Sequence, residues 1–188
     1  MDKRRGFSMV ELSIALGIIG VVVSGIWVVA SNTQQNMMAS RLEQQTMILV
    51  KNVRDYYATR TLPAAQIVAA TLTSTLRTAS VFPEEMCPAN CVSGGVTTVY
   101  NAYGGTATVA IPNETAPINH MEIAYADVTE KGCIETAMRL SARSSELGLY
   151  SYKVGAAAAI TSFPISLATA DSNCAASNTL TITFNIRN

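Results

Sequence analysis

The most apolar part of the chain is a run of nineteen residues from Leu12 to Ala30, which includes two serines and three glycines. No charged residue occurs between Leu12 and Ser40. At about 1.5 Å per residue, a helix of this length spans about 28 Å, close to the thickness of a bilayer core. A helix buried in a soluble domain normally keeps one polar face, and this run has none. The pattern therefore predicts a membrane-spanning helix.

Beyond residue 30 the apolar positions form a stripe along one side of a helix. Residues 31–36 are polar but include no proline or glycine, so nothing in them ends the helix. Apolar residues then recur at intervals of four, seven, four and three, namely Met38, Leu42, Leu49, Val53 and Tyr56. The charged residues mostly fall off this stripe, namely Arg41, Glu43, Lys51 and Asp55. We therefore expect one helix from about Phe7 to about Tyr57, with its second half docked on a globular head.

The second half of the chain has the composition of short strands, because Gly, Thr, Val and Tyr dominate after Pro83. The predicted strands are 97–101, 106–111, 121–128, 150–154 and 179–186. The last strand alternates most clearly, with Leu180, Ile182, Phe184 and Ile186 on one face. A long N-terminal helix packed on an antiparallel sheet is an α+β fold, and we predict that fold class here.

Two shorter helices and one turn complete the expected elements. The first helix is predicted over 64–78. The second is predicted from Cys133 to Glu146, with Ile134, Ala137, Met138 and Leu140 facing inward. The segment 101–105 ends in two glycines and is typical of a turn.

Composition narrows the classes of function. The chain is 49% hydrophobic and 14% charged with zero net charge, which excludes a disordered protein. Lysine and arginine cluster only within the first five residues, which argues against nucleic-acid binding through a broad basic face. A single histidine makes a His-based triad or a multi-His metal site hard to build. Since Gly-x-Ser-x-Gly, phosphate-loop and dinucleotide motifs are also missing, we predict no enzyme, no cofactor and no metal.

The residues before the apolar run indicate its orientation. Lys3, Arg4 and Arg5 should stay in the cytoplasm by the positive-inside rule, which places residues 31–188 outside it. A secretory signal peptide cut near Ala30 is the simpler alternative. Against it stand the length of the run and Glu11, a carboxylate at the head of the segment. Because a charge at bilayer depth costs on the order of 3 kcal/mol, such a residue indicates a functional site.

The sequence Gly6-Phe7-Ser8-Met9-Val10-Glu11-Leu12, after a short basic leader, resembles the processing site of type IV prepilins and pseudopilins. The resemblance implies that a membrane peptidase, the prepilin peptidase, cuts between Gly6 and Phe7 on the cytoplasmic side. It also implies that Phe7 becomes N-methylated and that Glu11 is the carboxylate found five residues into the mature chain.

A physical role for this arrangement follows from helix geometry. Glu11 lies four residues after Phe7, so the two share one helix face about one turn apart. In a filament, Glu11 of one subunit can pair with the Phe7 amine of a neighbour, which neutralises both charges in an apolar core. We expect such a pair to set the stagger between subunits. The glycines at 17, 20 and 25 would allow neighbouring helices to approach closely.

Four cysteines occur, at positions 87, 91, 133 and 174, all in the part expected to be exported. An even count in an oxidising compartment indicates disulfides, and three pairings are possible. A zinc site built from Cys87, Cys91, His120 and a further cysteine is the rival interpretation. It requires reduced thiols, which an exported chain does not reliably keep.

The head also resembles that of the larger type IVb pilins, through the segment 100–105, the Gly132-Cys133 helix and the late Cys174. That resemblance implies a Cys133–Cys174 disulfide, which leaves Cys87 to pair with Cys91. The leader is a departure, because six residues are fewer than type IVb leaders usually have.

Together these features predict a structural subunit of a type IV pilus. Residues 1–6 are the expected leader, 7–30 the transmembrane and assembly half of the helix, and 31–188 the exported head. The expected partners are the prepilin peptidase, other pilin subunits and, before assembly, the bacterial inner membrane, with a periplasmic head that becomes part of an extracellular pilus. The alternatives are a minor pilin or pseudopilin of a secretion system, an uncleaved membrane-anchored periplasmic binding protein, and a secreted enzyme.

Overall fold

A computed structural model describes residues 8–88, 91–93, 96–115, 118–174 and 177–187. The chain divides into two compact units, with the boundary between Met37 and Met38. The predicted leader, residues 1–6, and Phe7 lie outside the described residues. The predicted boundary after residue 30 marks where the membrane should end, so the division after Met37 does not test it.

Helix α1 runs from Met9 to Ala58 without a break. No proline or glycine occurs between residues 26 and 58, so the sequence contains nothing to interrupt the hydrogen-bond ladder there. Its C-terminal end is fixed by a cation near the chain terminus, because Nη2 of Arg187 donates to the carbonyls of Tyr57 (3.0 Å) and Arg60 (2.5 Å). A guanidinium at this end also complements the helix dipole.

The second half of α1 lies against the sheet much as the apolar stripe predicted. Leu42, Leu49 and Val53 are fully buried. The stripe missed two buried residues, because Tyr57 is buried next to the partly buried Tyr56, and Glu43 is buried although it was placed off the stripe. The buried face is wider than the apolar residues alone indicated, since it also includes the polar residues Glu43, Gln45 and Thr46.

The strands are β1 (Val92–Ser93), β2 (Val96–Thr97), β3 (Val99–Tyr100), β4 (Thr106–Ala110), β5 (His120–Thr129), β6 (Leu149–Val154) and β7 (Ser177–Asn185). Five of them form an antiparallel sheet in the order β3-β4-β5-β7-β6, and β1 pairs with β2. The α+β prediction with an antiparallel sheet is confirmed. The short first strands replace the single strand predicted over 97–101.

The alternation in the last strand correctly identified a core face. Leu180, Ile182, Phe184 and Ile186 are at most 2% exposed. The centre of the sheet is joined to α1 by a buried hydrogen bond between the hydroxyls of Thr46 and Tyr125, 2.8 Å apart. Burial raises the pKa of Tyr125 above its ordinary value, so this phenol stays protonated and can serve as a hydrogen-bond donor.

The shorter helices differ from the prediction at their ends. Helix α2 is Ala69–Thr78, because the backbone of Ile67 pairs with Ile111 instead of joining the helix. Helix α3 is Glu130–Ala142, and it starts three residues early because the Thr129 hydroxyl accepts from the Gly132 amide (3.2 Å). The segment predicted as its last turn is a separate short helix, α4 (Ser144–Leu147), and α5 (Leu167–Asn173) was not predicted.

One inward position on α3 was predicted wrongly. Met138 is 39% exposed, whereas Cys133, Ala137 and Leu140 are buried. Thr136 is buried as well, so the inward face is centred on residues 133, 136, 137 and 140. These positions follow the three-and-four spacing of one helix face, and 138 lies outside it.

The turn at 101–105 forms as predicted. The Asn101 side chain accepts from the amides of Tyr103 (2.8 Å) and Gly105 (3.2 Å) and donates to the Ala126 carbonyl (2.7 Å). Gly104 has φ +82°, and a Cβ on Gly105 would overlap the main chain of Ala126. Both glycines are therefore required, one by conformation and the other by close packing.

Candidate assembly site

The start of α1 is a capping box formed by Ser8 and Glu11. The Ser8 amide donates to Oε2 of Glu11 (3.1 Å), and the Val10 amide donates to the Ser8 hydroxyl (3.3 Å). The first helical bond runs from the Leu12 amide to the Ser8 carbonyl (3.1 Å). A serine followed three residues later by a glutamate is the usual sequence of this motif. Glu11 thus satisfies a main-chain amide at the helix start.

The same carboxylate has capacity for another donor. A carboxylate offers two oxygens with about four acceptor positions, and the cap uses Oε2. The helix N-terminus is also the positive end of the dipole, which favours a negative charge there. Gly6 and Phe7, the predicted processing residues, lie outside the described residues, so the pairing of Glu11 with an amine at Phe7 stays a prediction.

After this cap follows an exposed apolar surface. Every residue from Met9 to Ala30 is exposed, including Trp27 at 77%. An 18-residue window of α1 is apolar and long enough to cross a membrane. A Cβ placed on Gly17, Gly20 or Gly25 would meet only open space. Because these residues have no side chain, the main chain of the helix is accessible there.

The polar side chains within this surface bond to their own helix. The Ser13 hydroxyl donates to the Met9 carbonyl (2.7 Å), and the Ser24 hydroxyl donates to the Val21 carbonyl (2.8 Å). A hydroxyl that bonds in this way needs no water, so it is tolerated in a bilayer or in a packed apolar core. The segment is therefore suited to an apolar environment despite its two serines.

In the head, two disulfides join the four cysteines. Cys133 in α3 pairs with Cys174 at the end of α5, with Cα atoms 5.9 Å apart, and Cys87 pairs with Cys91. These are the pairs that the type IVb resemblance implied. The alternative zinc site is wrong, because Cys87 and Cys91 have no thiolate to offer a metal. His120 instead places Nδ1 2.6 Å from Oε2 of Glu114, and its ring stacks on Tyr150.

The turn 101–105 and helix α3 also meet directly, at Tyr103 and Gly132. A Cβ on Gly132 would overlap the Tyr103 ring, so glycine is needed where the phenol crosses the helix. Burial raises the pKa of Tyr103 to about 12, and the neighbouring Thr136 hydroxyl partly offsets that shift. The segment 100–105 and the Gly132-Cys133 sequence of α3, which carry the type IVb resemblance, therefore pack against each other.

Comparison with known families decides the class of the protein. A family model described as PilS N terminal matches residues 29–186, and a model of the prokaryotic N-terminal methylation motif matches residues 1–27. The chain belongs to the PilS family of type IV pilins. The suspected family is therefore confirmed, and a pilin is a structural subunit of a pilus.

A solved crystal structure agrees on the fold of this pilin. The crystal structure of type IV b pilin from Salmonella typhi covers 78% of this chain and 98% of its own, with 20% identity and a TM-score of 0.63. An NMR structure of type IVb pilin (PilS) from Salmonella typhi covers 76% of this chain and 92% of its own, with 20% identity and a TM-score of 0.49. A search of the curated proteins found no match. The crystal structure confirms the predicted pilin fold.

One buried charge in the pilin head escaped the sequence analysis. Glu43 on α1 has a side chain only 11% exposed, with its oxygens 3.2 Å from Nε of Arg143 and 3.7 Å from Nη1 of Arg139. Arg139 also lies 3.5 Å from Glu135, one turn away on α3. Glu43 therefore ties α1 to the end of α3. The spacing of Arg139 and Arg143 on one helix face was the available signal, but it did not identify the partner.

Arg54, eleven residues after Glu43, makes a second set of contacts between α1 and the rest of the head. The Arg54 guanidinium donates to the Leu147 carbonyl (2.7 Å) and to the Asn185 carbonyl (2.9 and 3.1 Å). Burial lowers the pKa of Arg54, yet a guanidinium remains charged at any physiological pH. Glu43 and Arg54 thus hold the second half of α1 to α3, to the end of α4 and to the last strand.

Replacing Glu43 by alanine is expected to lower the free energy of unfolding of the head by about 1–2 kcal/mol. The loss is moderate because Arg139 and Arg143 are 36% and 47% exposed and can turn towards water. Chemical denaturation of the full chain in detergent, followed by circular dichroism, measures it. Glu85→Ala removes an exposed carboxylate and serves as the control. Equal stability of the two variants would show that the Glu43 contacts contribute nothing.

Proposed function

We propose that this pilin is a principal, filament-forming subunit that is cut between Gly6 and Phe7 and N-methylated at Phe7. The observation that carries the proposal is Glu11, a carboxylate in the first turn of a helix whose apolar surface is fully exposed from Met9 to Ala30. A surface of this kind requires a partner, because contiguous apolar area in water is strongly unfavourable. A bilayer before assembly and a bundle of identical helices afterwards both meet that requirement.

Assembly then follows from one charged contact. Removal of residues 1–6 creates an amine at Phe7, next to the capping box. In the apolar filament core, the Glu11 carboxylate of one subunit binds the Phe7 amine of its neighbour, so neither charge stays unpaired. The match of residues 1–27 to the N-terminal methylation motif supports this processing. Residues 31–188 form the exported head, periplasmic at first and then on the outside of the extracellular pilus.

The test is an intact mass with N-terminal sequencing of the protein from its native host. We expect a chain that starts at Phe7 and is heavier than its sequence by one methyl group. A chain starting near Ser31 would instead indicate a secreted head, and one starting at Met1 a plain membrane anchor. Either of these two results would remove the filament mechanism.

Gly6→Ser tests the cleavage position itself. The leader of this variant should remain attached, so the full-length chain should accumulate in the membrane and no filaments should form. Immunoblotting of membrane and sheared-surface fractions measures this, with Ser31→Thr, at the alternative cut site, as the matched control. Normal cleavage of Gly6→Ser would place the processing site elsewhere.

The number of subunits per filament separates a principal subunit from a minor pilin. A principal subunit is expected to be the main protein of purified filaments, whereas a minor pilin or pseudopilin would be a trace component. Quantitative mass spectrometry of sheared filaments distinguishes the two. A Glu11 that pairs at every step favours the principal subunit, because that contact is needed wherever one subunit stacks on the next.

A further inference from the structure

We propose that, before assembly, the bilayer takes up the part of α1 between Glu11 and Trp27, with the Trp27 indole at the outer headgroup interface. The proposal rests on membrane insertion of this pilin, which is part of the proposed function. It adds the position of the helix along the membrane normal. The partner is a phospholipid bilayer, and the two ends of the contact are a capped carboxylate and a single indole.

At the inner end, the capping box keeps Glu11 near water. The Glu11 carboxylate accepts from the Ser8 amide, so it points back towards the start of the helix and away from the apolar run. A charge at the bilayer centre costs on the order of 3 kcal/mol and nearly nothing at the interface, so this end should stay among the headgroups. Gly6 precedes Ser8 by two residues and would remain accessible on the cytoplasmic side.

At the outer end, Trp27 is the only tryptophan of the chain, and its side chain is among the most exposed of the apolar run. Tryptophan is enriched at membrane interfaces, because its ring is apolar while its N–H requires a hydrogen-bond partner. The sequence becomes polar four residues later, from Ser31 to Asn36. Trp27 therefore lies where a helix leaving the hydrocarbon needs an interfacial residue.

The distance between the two ends is close to the thickness of a bilayer core. Sixteen residues separate Glu11 from Trp27, which corresponds to about 24 Å of helix. This is a few ångströms less than a hydrocarbon core of about 30 Å, so the helix must stand nearly upright in a bilayer that is slightly thinner around it. Ser13 and Ser24, which lie inside this stretch, bond to their own helix and need no water at depth.

The experiment uses the fluorescence of the single tryptophan. The full chain is reconstituted at low density in phosphatidylcholine–phosphatidylglycerol vesicles whose lipids carry bromine either near the headgroup or near the methyl end. The matched control is Trp27→Phe combined with Ile19→Trp. It moves the indole eight residues, or about 12 Å, to the middle of the segment.

We expect the wild-type tryptophan to be quenched about twofold more strongly by shallow than by deep bromine, and the control to show the reverse. Stronger quenching of Trp27 by deep bromine would overturn the inference while leaving membrane insertion intact. Equal quenching at both depths would likewise overturn it, because the indole would have no defined depth. If neither Trp27 nor Trp at position 19 is quenched by any brominated lipid, the helix is not inserted, and the membrane step of the proposed function fails as well.

Discussion

Glu11→Ala is expected to abolish filaments while the leader is still removed and the head still folds. The substitution deletes the only carboxylate in the sequence between Gly6, the proposed cleavage position, and Arg41. In the assembled core, each Phe7 amine would then be buried without a counter-charge, which costs several kcal/mol per subunit. That cost recurs at every subunit added. Electron microscopy of sheared material and the mass of the membrane-bound chain measure filament yield and processing.

Glu11→Gln separates the helix cap, which the structure shows, from the ion pair with the Phe7 amine, which is proposed. A glutamine at the third helical position can still accept from the Ser8 amide, so the capping box is kept. It carries no charge, however, and so cannot neutralise an ammonium. If assembly depends on the ion pair, Glu11→Gln should lose filaments almost as completely as Glu11→Ala.

The reciprocal control is Ser8→Ala, which weakens the cap and leaves the Glu11 charge in place. In the wild-type chain, the Ser8 hydroxyl accepts a hydrogen bond from the Val10 amide. Loss of an N-cap hydroxyl costs about 1 kcal/mol, so filaments should still form. Normal filaments from Glu11→Gln, combined with a defect in Ser8→Ala, would assign Glu11 to helix capping and refute the ion pair.

Helix ends could be predicted where the local sequence sets them and could not where contacts distant in sequence do. Helix α1 was predicted to within about two residues of its described ends, because its sequence has no proline before Pro63 and no glycine between Gly25 and Pro63. The start of α2 was misplaced because the backbone of Ile67 pairs with Ile111, a contact that is distant in sequence. Local propensity does not include such pairings. The same limit explains α5, whose seven residues are held by Ser166 and by the disulfide at Cys174.

Glu11 could be singled out from the sequence, whereas Glu43 and Arg54 could not. Glu11 is conspicuous because a charge stands at the edge of a long apolar run. Glu43 is inconspicuous because four other charged residues lie on the same half of the helix, and only the position of α3 shows that it is buried. Arg54 was missed for a different reason. Its partners are main-chain carbonyls, which every residue possesses and which leave no trace in a sequence.

Cys174→Ser is expected to lower the free energy of unfolding of the oxidised head by about 4 kcal/mol, because the Cys133–Cys174 disulfide closes a loop of 41 residues. In the chain-entropy model, the cross-link removes conformations from the unfolded ensemble, and a longer loop removes more. The variant also leaves Cys133, which is fully buried, as an unpaired thiol. Cys133→Ala/Cys174→Ala avoids that thiol and should show a similar loss.

Cys87→Ser/Cys91→Ser is the matched control, because its loop spans only 4 residues and predicts a loss of about 2 kcal/mol. The near-ultraviolet dichroism of buried tyrosines such as Tyr125 and Tyr152 reports head unfolding in denaturant, whereas Trp27 lies outside the head. Reduced wild type should unfold at lower denaturant than either double variant, since it loses both cross-links. An unchanged midpoint for Cys174→Ser in the oxidised protein would show that the long loop is already restricted without its disulfide. The contacts of α3 with α1 and Tyr103, rather than the cross-link, would then hold the C-terminal part of the head.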